Sequence, residues 1–146
     1  MLVNVIGAIN LFEVLVADQV VSGTDRGAFV AVSSVDGVRG NPAVASYTMS
    51  KHALNGFVKA AALTHGPRGL RVNAVCAGPI ATPMFASGER NGPEEVAKHD
   101  ALIERFPLGY VCPPEAVARA VRFLVSDDGS YANGALVPVD GGLSLT

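Results

Sequence analysis

Only two cysteines occur in the chain, and neither stands at a spacing that could build a metal site: Cys76 falls in an apolar stretch and Cys112 directly precedes Pro113-Pro114. A multi-bridge disulfide scaffold is excluded, and two free thiols suit a reducing compartment such as the cytoplasm. The three histidines, His52, His65 and His99, fall on predicted helices or at a helix end without mutual spacing for a metal, so no metal site is expected. Positive charge is not in excess either: 11 Lys and Arg stand against 13 Asp and Glu, a net charge of −2. That leaves no electrostatic footprint for nucleic acid. There is no internal repeat and no low-complexity tract. The long apolar opening, Leu2 to Val21, is interrupted by Asn4, Asn10, Glu13, Asp18 and Gln19. No basic region precedes it and no small-residue cleavage site is clear, so it reads as a buried helix rather than a signal peptide or membrane anchor.

What is present is enough apolar material, 49% of 146 residues, for one globular domain with a real core. After the first helix and a polar turn at Ser22 to Gly27, the run Ala28 to Ser33 reads as a strand. Its continuous Phe29-Val30-Ala31-Val32 expects cover on both faces, as in a parallel sheet. Val35 to Ala45 is a loop carrying Asp36, Arg39 and Asn41. Ala45 to Gly66 has helical periodicity, begins after Asn41-Pro42 and stops at His65-Gly66-Pro67. Leu70 to Cys76 is a second strand, and Pro79 to Arg90 a loop rich in breakers. Pro93 to Phe106 reads as an amphipathic helix; with the loop it is a candidate lid. Pro114 to Ser126 is a helix turning Val117, Val121, Phe123 and Leu124 toward a core, and Leu136 to Val139 a third strand whose Pro138 suits an edge. About three strands alternating with helices make an α/β fold, part of a doubly wound parallel sheet.

The chemistry is concentrated in Ser46-Tyr47-Thr48-Met49-Ser50-Lys51. At i and i+4 of a helix, the phenol of Tyr47 and the ammonium of Lys51 share one face. Coulomb attraction then favours the phenolate and lowers its pKa from about 10, which fits a group that exchanges a proton near neutral pH. Three tyrosines and three lysines would produce such a pair by chance roughly one time in sixteen, so the pair alone is weak evidence. Its weight comes from Ser33-Ser34, at the end of the strand run, with Ser34 thirteen residues before Tyr47. Ligands of open α/β sheets bind beyond the carboxyl ends of strands, where Ser34 would sit. Ser33 is the neighbouring alternative.

A strand-end serine followed by Tyr-x-x-x-Lys resembles the signature of the short-chain dehydrogenase/reductase family. The resemblance continues through Val3-Asn4-Val5-Ile6-Gly7, through Val72-Asn73-Ala74-Val75-Cys76-Ala77-Gly78-Pro79-Ile80-Ala81-Thr82, and through Asn133-Gly134 to Val139-Asp140-Gly141-Gly142. Four motifs in the right order are very specific. The resemblance implies an NAD- or NADP-dependent oxidoreductase acting on a secondary alcohol or ketone. Tyr47 would be the general acid/base, Lys51 would tune it and bind the nicotinamide ribose, Ser34 would hold the substrate oxygen, and Asn4 would support a water relay to Lys51. Gly78, Ile80 and Thr82 would meet the nicotinamide carboxamide, and Met84 and Phe85 could line the substrate pocket. Where the family usually has proline, this chain has Ala77.

Two family features are missing: the glycine-rich G-x-x-x-G-x-G turn that holds the pyrophosphate and the Asn-Asn-Ala-Gly loop. A βαβαβ half plus one strand amounts to roughly 90 to 100 residues, at about 30 or more per βαβ unit. Residues 1–146 are therefore expected to be the C-terminal part of a Rossmann-like domain, carrying the catalytic and nicotinamide-side motifs. The other reading is a non-catalytic remnant that at most associates with intact subunits. An unpaired strand edge at Ala28 to Ser33 and the Ala60-Ala61-Ala62 run, which would allow close helix packing, lead to an expected homo-oligomer.

Overall fold

Two of the strands pair along their whole length. β1 (Gly27–Ser34) runs parallel to β2 (Leu70–Ala77) from Gly27↔Leu70 to Ser34↔Ala77, and β3 (Leu136–Val139) joins the far half of β2 from Ala74↔Leu136 to Ala77↔Val139. The sheet order is β1-β2-β3. This arrangement comes from a computed structural model, which describes residues 2–23, 25–86, 101 and 103–146. Parallel neighbours need long crossovers. The first contains α2 (Ala45–His65) and the second α3 (Pro83–Ala86) and α4 (Pro114–Val125), while α1 (Gly7–Ser22) precedes β1.

Alternation along the strands divides the core in two. Phe29, Ala31, Val72 and Ala74 face α1 and α2 and meet Phe12, Leu54, Val58, Ala61 and Ala62. Val75 and Ala77 face the opposite way, onto Val117 and Leu124 of α4. At the centre of the first cluster Phe12 is 1% exposed, its ring edge-on to Phe29, Phe57 and His65 at centroid distances of 5.3, 5.2 and 5.1 Å. Polar side chains fix the far ends. Arg71 on β2 donates to the carbonyls of Leu124 at 2.6 Å and Gly129 at 2.8 Å, placing a cation at the C-terminal end of α4. Asn73 donates to Ala132 O at 2.9 Å and accepts from Ala135 N at 3.0 Å, which sets the start of β3.

Several sequence expectations need correction. Leu2–Ile6 is a π-helical turn and only Gly7–Ser22 is α-helix; a wider turn of five residues leaves no trace in apolar periodicity. Phe123 does not enter the core: it is 49% exposed, one residue before the buried Leu124 and so on a different side of α4. Ala61 and Ala62 pack inside this chain's own core rather than toward a partner, and Ala60 is exposed. The expected cover on both faces of β1 fails at Val32, 52% exposed. Among the described residues no strand pairs with the outer edge of β1. Gly27 N donates to Gly69 O at 3.1 Å, so alternation turns the backbone groups of Ala28, Val30, Val32 and Ser34 away from β2. Most of the predicted Pro93 to Phe106 helix and the end of the Pro79 to Arg90 loop fall on 87–100 and 102, outside the described residues, while Glu104 and Arg105, at the predicted helix end, form a turn. Among the described residues no helix is long and apolar enough to cross a membrane.

Truncating Phe12 would leave a cavity beneath three rings. Phe12→Ala is expected to cost about 3–5 kcal/mol, whereas Leu63→Ala, on the exposed face of α2, should stay within about 0.5 kcal/mol. Urea unfolding of both variants checks the contrast.

Candidate active site

β1 ends at Ser34, whose extended backbone (φ −146°, ψ 155°) leads into a 3-10 turn at Val35–Gly37. The Ser34 hydroxyl oxygen accepts from Asp36 N at 3.1 Å, capping that turn. The two candidate serines separate by alternation. Ser33 pairs with Cys76, which carries it onto the α2 side of the sheet beneath the helix, while Ser34 takes the strand end.

A second 3-10 turn, Pro42–Val44, delivers the chain into α2, with the Asn41 side chain accepting from Ala43 N at 3.1 Å. Tyr47 therefore falls in the first turn of the helix and stays 38% exposed. Lys51 lies one turn later. Its ammonium sits 5.6 Å from the Tyr47 ring centroid, over the ring face, and donates to Val32 O at 3.1 Å. The four-residue spacing foresaw the neighbours but not this orientation, because a carbonyl on the open edge of β1 competes for the ammonium. Burial pushes the Lys51 pKa below its ordinary value, and the nearby Cys76 acts the other way. Asn4 lies in the π-helical turn and donates to the Ser50 hydroxyl at 3.2 Å, and Ser50 in turn donates to Tyr47 O at 2.7 Å. Its direct contact is thus Ser50 rather than Lys51. Sequence reasoning passed over Ser50, although a serine three residues after Tyr47 is a ready partner for that carbonyl.

The loop beyond β2 is fastened at both sides. Gly78 N donates to Val139 O at 3.0 Å, Ala81 N to Cys112 O at 2.9 Å and Cys112 N to Pro79 O at 3.3 Å, so Ile80 bridges to Cys112 as a short strand-like contact. Thr82 N donates to Ile80 O at 2.7 Å and opens α3, which contains Met84 and Phe85. With Ala77 in place of proline, β2 keeps its register with both neighbours through residue 77. The serine end of β1 and the Gly78 loop consequently lie side by side. A cavity of about 520 Å³ opens beside Pro79, between Tyr110, Arg119 and Asp140, and is not lined by Ser34, Tyr47 or Lys51. No group of three metal-ligating side chains occurs among the described residues.

Behind the site, Arg39 ties the loop after Ser34 to the C-terminal segment. It lies 3.6 Å from the Asp36 carboxylate and donates to Leu143 O at 2.9 Å. Val35, Phe106 and Leu143 form a small apolar cluster there. Asp140 accepts from Gly142 N at 3.0 Å and Ser144 N at 2.8 Å. Burial alone would push its pKa up, but those N–H groups, the Ser144 hydroxyl and the Arg39 guanidinium hold it below its ordinary value.

The family model described as enoyl-(acyl carrier protein) reductase matches residues 1–144. The chain is 42% identical over 122 residues to a meso-2,3-butanediol dehydrogenase from Serratia marcescens, covering 83% of this chain and 46% of that one. It is 38% identical over 143 residues to a 3-oxoacyl-[acyl-carrier-protein] reductase from Thermotoga maritima, covering 98% and 55%. The chain belongs to the short-chain dehydrogenase/reductase family. Among solved structures, a protein assigned as a 2-deoxy-D-gluconate 3-dehydrogenase from Agrobacterium tumefaciens, with bound NADP, superposes at a TM-score of 0.89 with 29% identity, over 98% of this chain and 56% of that one. A 4-hydroxyisoleucine dehydrogenase complexed with NADH gives 0.88 and 26%, over 99% and 57%. The family is one of Rossmann-fold oxidoreductases that use NAD or NADP, and this chain spans about half the length of these relatives.

Because the Asp140 carboxylate is favoured in the fold, its contribution to stability is present above its ordinary value of 3.8 and lost as pH falls through the lower folded value. The chain should lose stability on acidification below about pH 4, and Asp140→Asn should lose less over the same range. Thermal unfolding midpoints recorded from pH 6 to pH 2 test this.

Proposed function

We propose that the chain carries the catalytic and nicotinamide-side part of an NAD(P)-dependent oxidoreductase that interconverts a secondary alcohol and a ketone. The observation that carries the reading is the Lys51 ammonium, held between the Tyr47 ring and the strand end that bears Ser34. Residues 1–146 then form part of a Rossmann-like domain. The names of the butanediol dehydrogenase and the 3-oxoacyl reductase support a hydroxyl- or ketone-bearing small molecule as substrate.

The residues suit a nicotinamide nucleoside. Lys51 spends one of its three N–H bonds on Val32 O, leaving donors for ribose hydroxyls. Gly78, Ile80 and Thr82 stand on the fastened loop beside the strand end and would meet the carboxamide. Bound NAD or NADP would supply the hydride acceptor or donor. Tyr47 would take the proton of the substrate hydroxyl during oxidation and return it during reduction, with the positive charge of Lys51 over its ring favouring the phenolate. The Ser34 oxygen already accepts a bond from Asp36 N, so its own proton is left to donate to the substrate oxygen. Asn4 would act on this set through Ser50 and the first turn of α2.

One observation favours a second reading. The open edge of β1 among the described residues suits a chain that acts by associating with intact subunits. Homo-oligomerisation and a cytoplasmic location belong to the proposal in either case.

The test joins the chain to the part of the Thermotoga relative that it does not cover. Turnover of secondary alcohols with NAD or NADP by that protein, reduced two to four decades in Tyr47→Phe, is the expected result. Near-normal turnover in the variant would remove Tyr47 from its role. The unjoined chain should bind NADH and NADPH no more tightly than about millimolar, since only the nicotinamide half would find contacts. Low-micromolar binding by titration calorimetry would contradict that.

A further inference from the structure

Ser34 is gripped by α2 from both sides. Two residues before it, Val32 O receives the Lys51 ammonium at 3.1 Å; three residues after it, Gly37 O receives the Asn55 side-chain amide at 2.9 Å. Asn55 lies one turn beyond Lys51 on the buried face of the helix and is 3% exposed. The Gly37 carbonyl can only accept, so the amide nitrogen must be the group that faces it. The same nitrogen lies 3.7 Å from the Cys76 sulfur, which fixes Asn55 between the loop and β2. Its amide oxygen is buried without a partner among the described residues. A half-satisfied buried amide is an expensive way to fill space, and an aliphatic side chain would fill the site without it.

Gly37 brings the loop against the helix at this point. A Cβ there would stand 2.6 Å from the Asn55 amide nitrogen, closer than real Cβ atoms approach, and 3.0 Å from Lys51 O, tighter than most do. The loop backbone therefore rests directly on the backbone of Lys51.

We propose that Asn55 is a positioning residue, whose bond to Gly37 O holds the Ser34 turn at a fixed distance from the turns of α2 that carry Tyr47 and Lys51. The Lys51 bond to Val32 O cannot serve alone, because it holds the strand before Ser34 and leaves the turn that follows it unheld. Asn55 is the link that holds that turn. The structural part of this inference stands on the contacts alone, and its catalytic part rests on the proposed function.

The test compares Asn55→Ala and Asn55→Asp. Hydrogen exchange of the folded chain, corrected for intrinsic rates, should show the Asp36 and Val38 amides exchanging about tenfold faster in Asn55→Ala, with those of Val72 to Val75 unchanged. Asp at this site keeps the size and donates only when protonated. Burial raises its pKa, with Cys76 on β2, Lys51 one turn earlier, Asp36 in the loop and Asp140 beyond Cys76 as neighbouring ionisable groups. Wild-type protection should return in Asn55→Asp at low pH and vanish at high pH, a profile that mere packing would not produce. In the joined enzyme, kcat should fall about tenfold or more in Asn55→Ala with the KM for cofactor unchanged. Unchanged exchange at Asp36 and Val38, or an Asn55→Asp variant that matches Asn55→Ala at every pH, overturns the proposal, and so does faster exchange with kcat intact. If the joined wild-type enzyme shows no turnover, the proposed function fails by itself and the exchange result still decides whether Asn55 holds the turn.

Discussion

The parallel register of β1 against β2 is the constraint on which the rest of the site depends. Pairing Ser34 with Ala77 places the end of one strand beside the loop that leaves the other, so a hydroxyl and the Gly78 turn share one rim of the sheet. Side chains alternate faces along a strand, and a shift of one residue would exchange Ser33 and Ser34. Ser34 would then lie under α2 and Ser33 would stand at the rim. The register is held by the same apolar pattern that makes the core, since a slip would also move Phe29 and Ala31 out of the cluster around Phe12. Core and site are specified by one set of contacts.

The second constraint is the seat of α2. Its apolar face, through Leu54, Val58, Ala61 and Ala62, binds the helix to the sheet, but hydrophobic contact is not directional and does not fix an axial position. Hydrogen bonds do that. Lys51 and Asn55 reach the backbone on either side of Ser34, and Asn133 joins the far end of the helix to β2 by donating to Ala62 O at 3.1 Å and accepting from Val72 N at 2.9 Å. The helix is pinned at both ends to the strands beneath it. Tyr47, close to the N-terminal pin, inherits its position from these bonds.

This division explains what could be read from the sequence. Strands at Ala28 to Ser33, Leu70 to Cys76 and Leu136 to Val139, and the helix from Ala45, follow from local pattern and breakers, and the structure moves their ends by one residue or less. The closeness of Tyr47 to Lys51 and the place of Ser34 at the strand end follow from spacing local to one strand, one loop and one helix. Partners set by tertiary contact were not. Nothing local to Asn55 says that it meets Gly37, nothing near Asn4 points to Ser50, and the turn of a π-helix hides inside an apolar run. Phe123 was misplaced because apolar character alone does not choose which side of an amphipathic helix is outermost.

The outer edge of β1 connects these points. A parallel strand interior to a sheet has both rows of backbone groups paired, yet here one row, from Ala28 to Ser34, faces away from β2. Lys51 occupies one carbonyl of that row, a charged side chain set against an open edge, which is also a common device against unwanted strand pairing. The residue with the strongest resemblance-based role in cofactor binding is thus also the one that covers the edge. A strand added along β1 would compete with Lys51 for Val32 O, and an ammonium displaced from it would keep its place over the Tyr47 ring with one more donor to offer. The grip of Asn55 on the Ser34 turn lies on the other flank and takes no part in that competition.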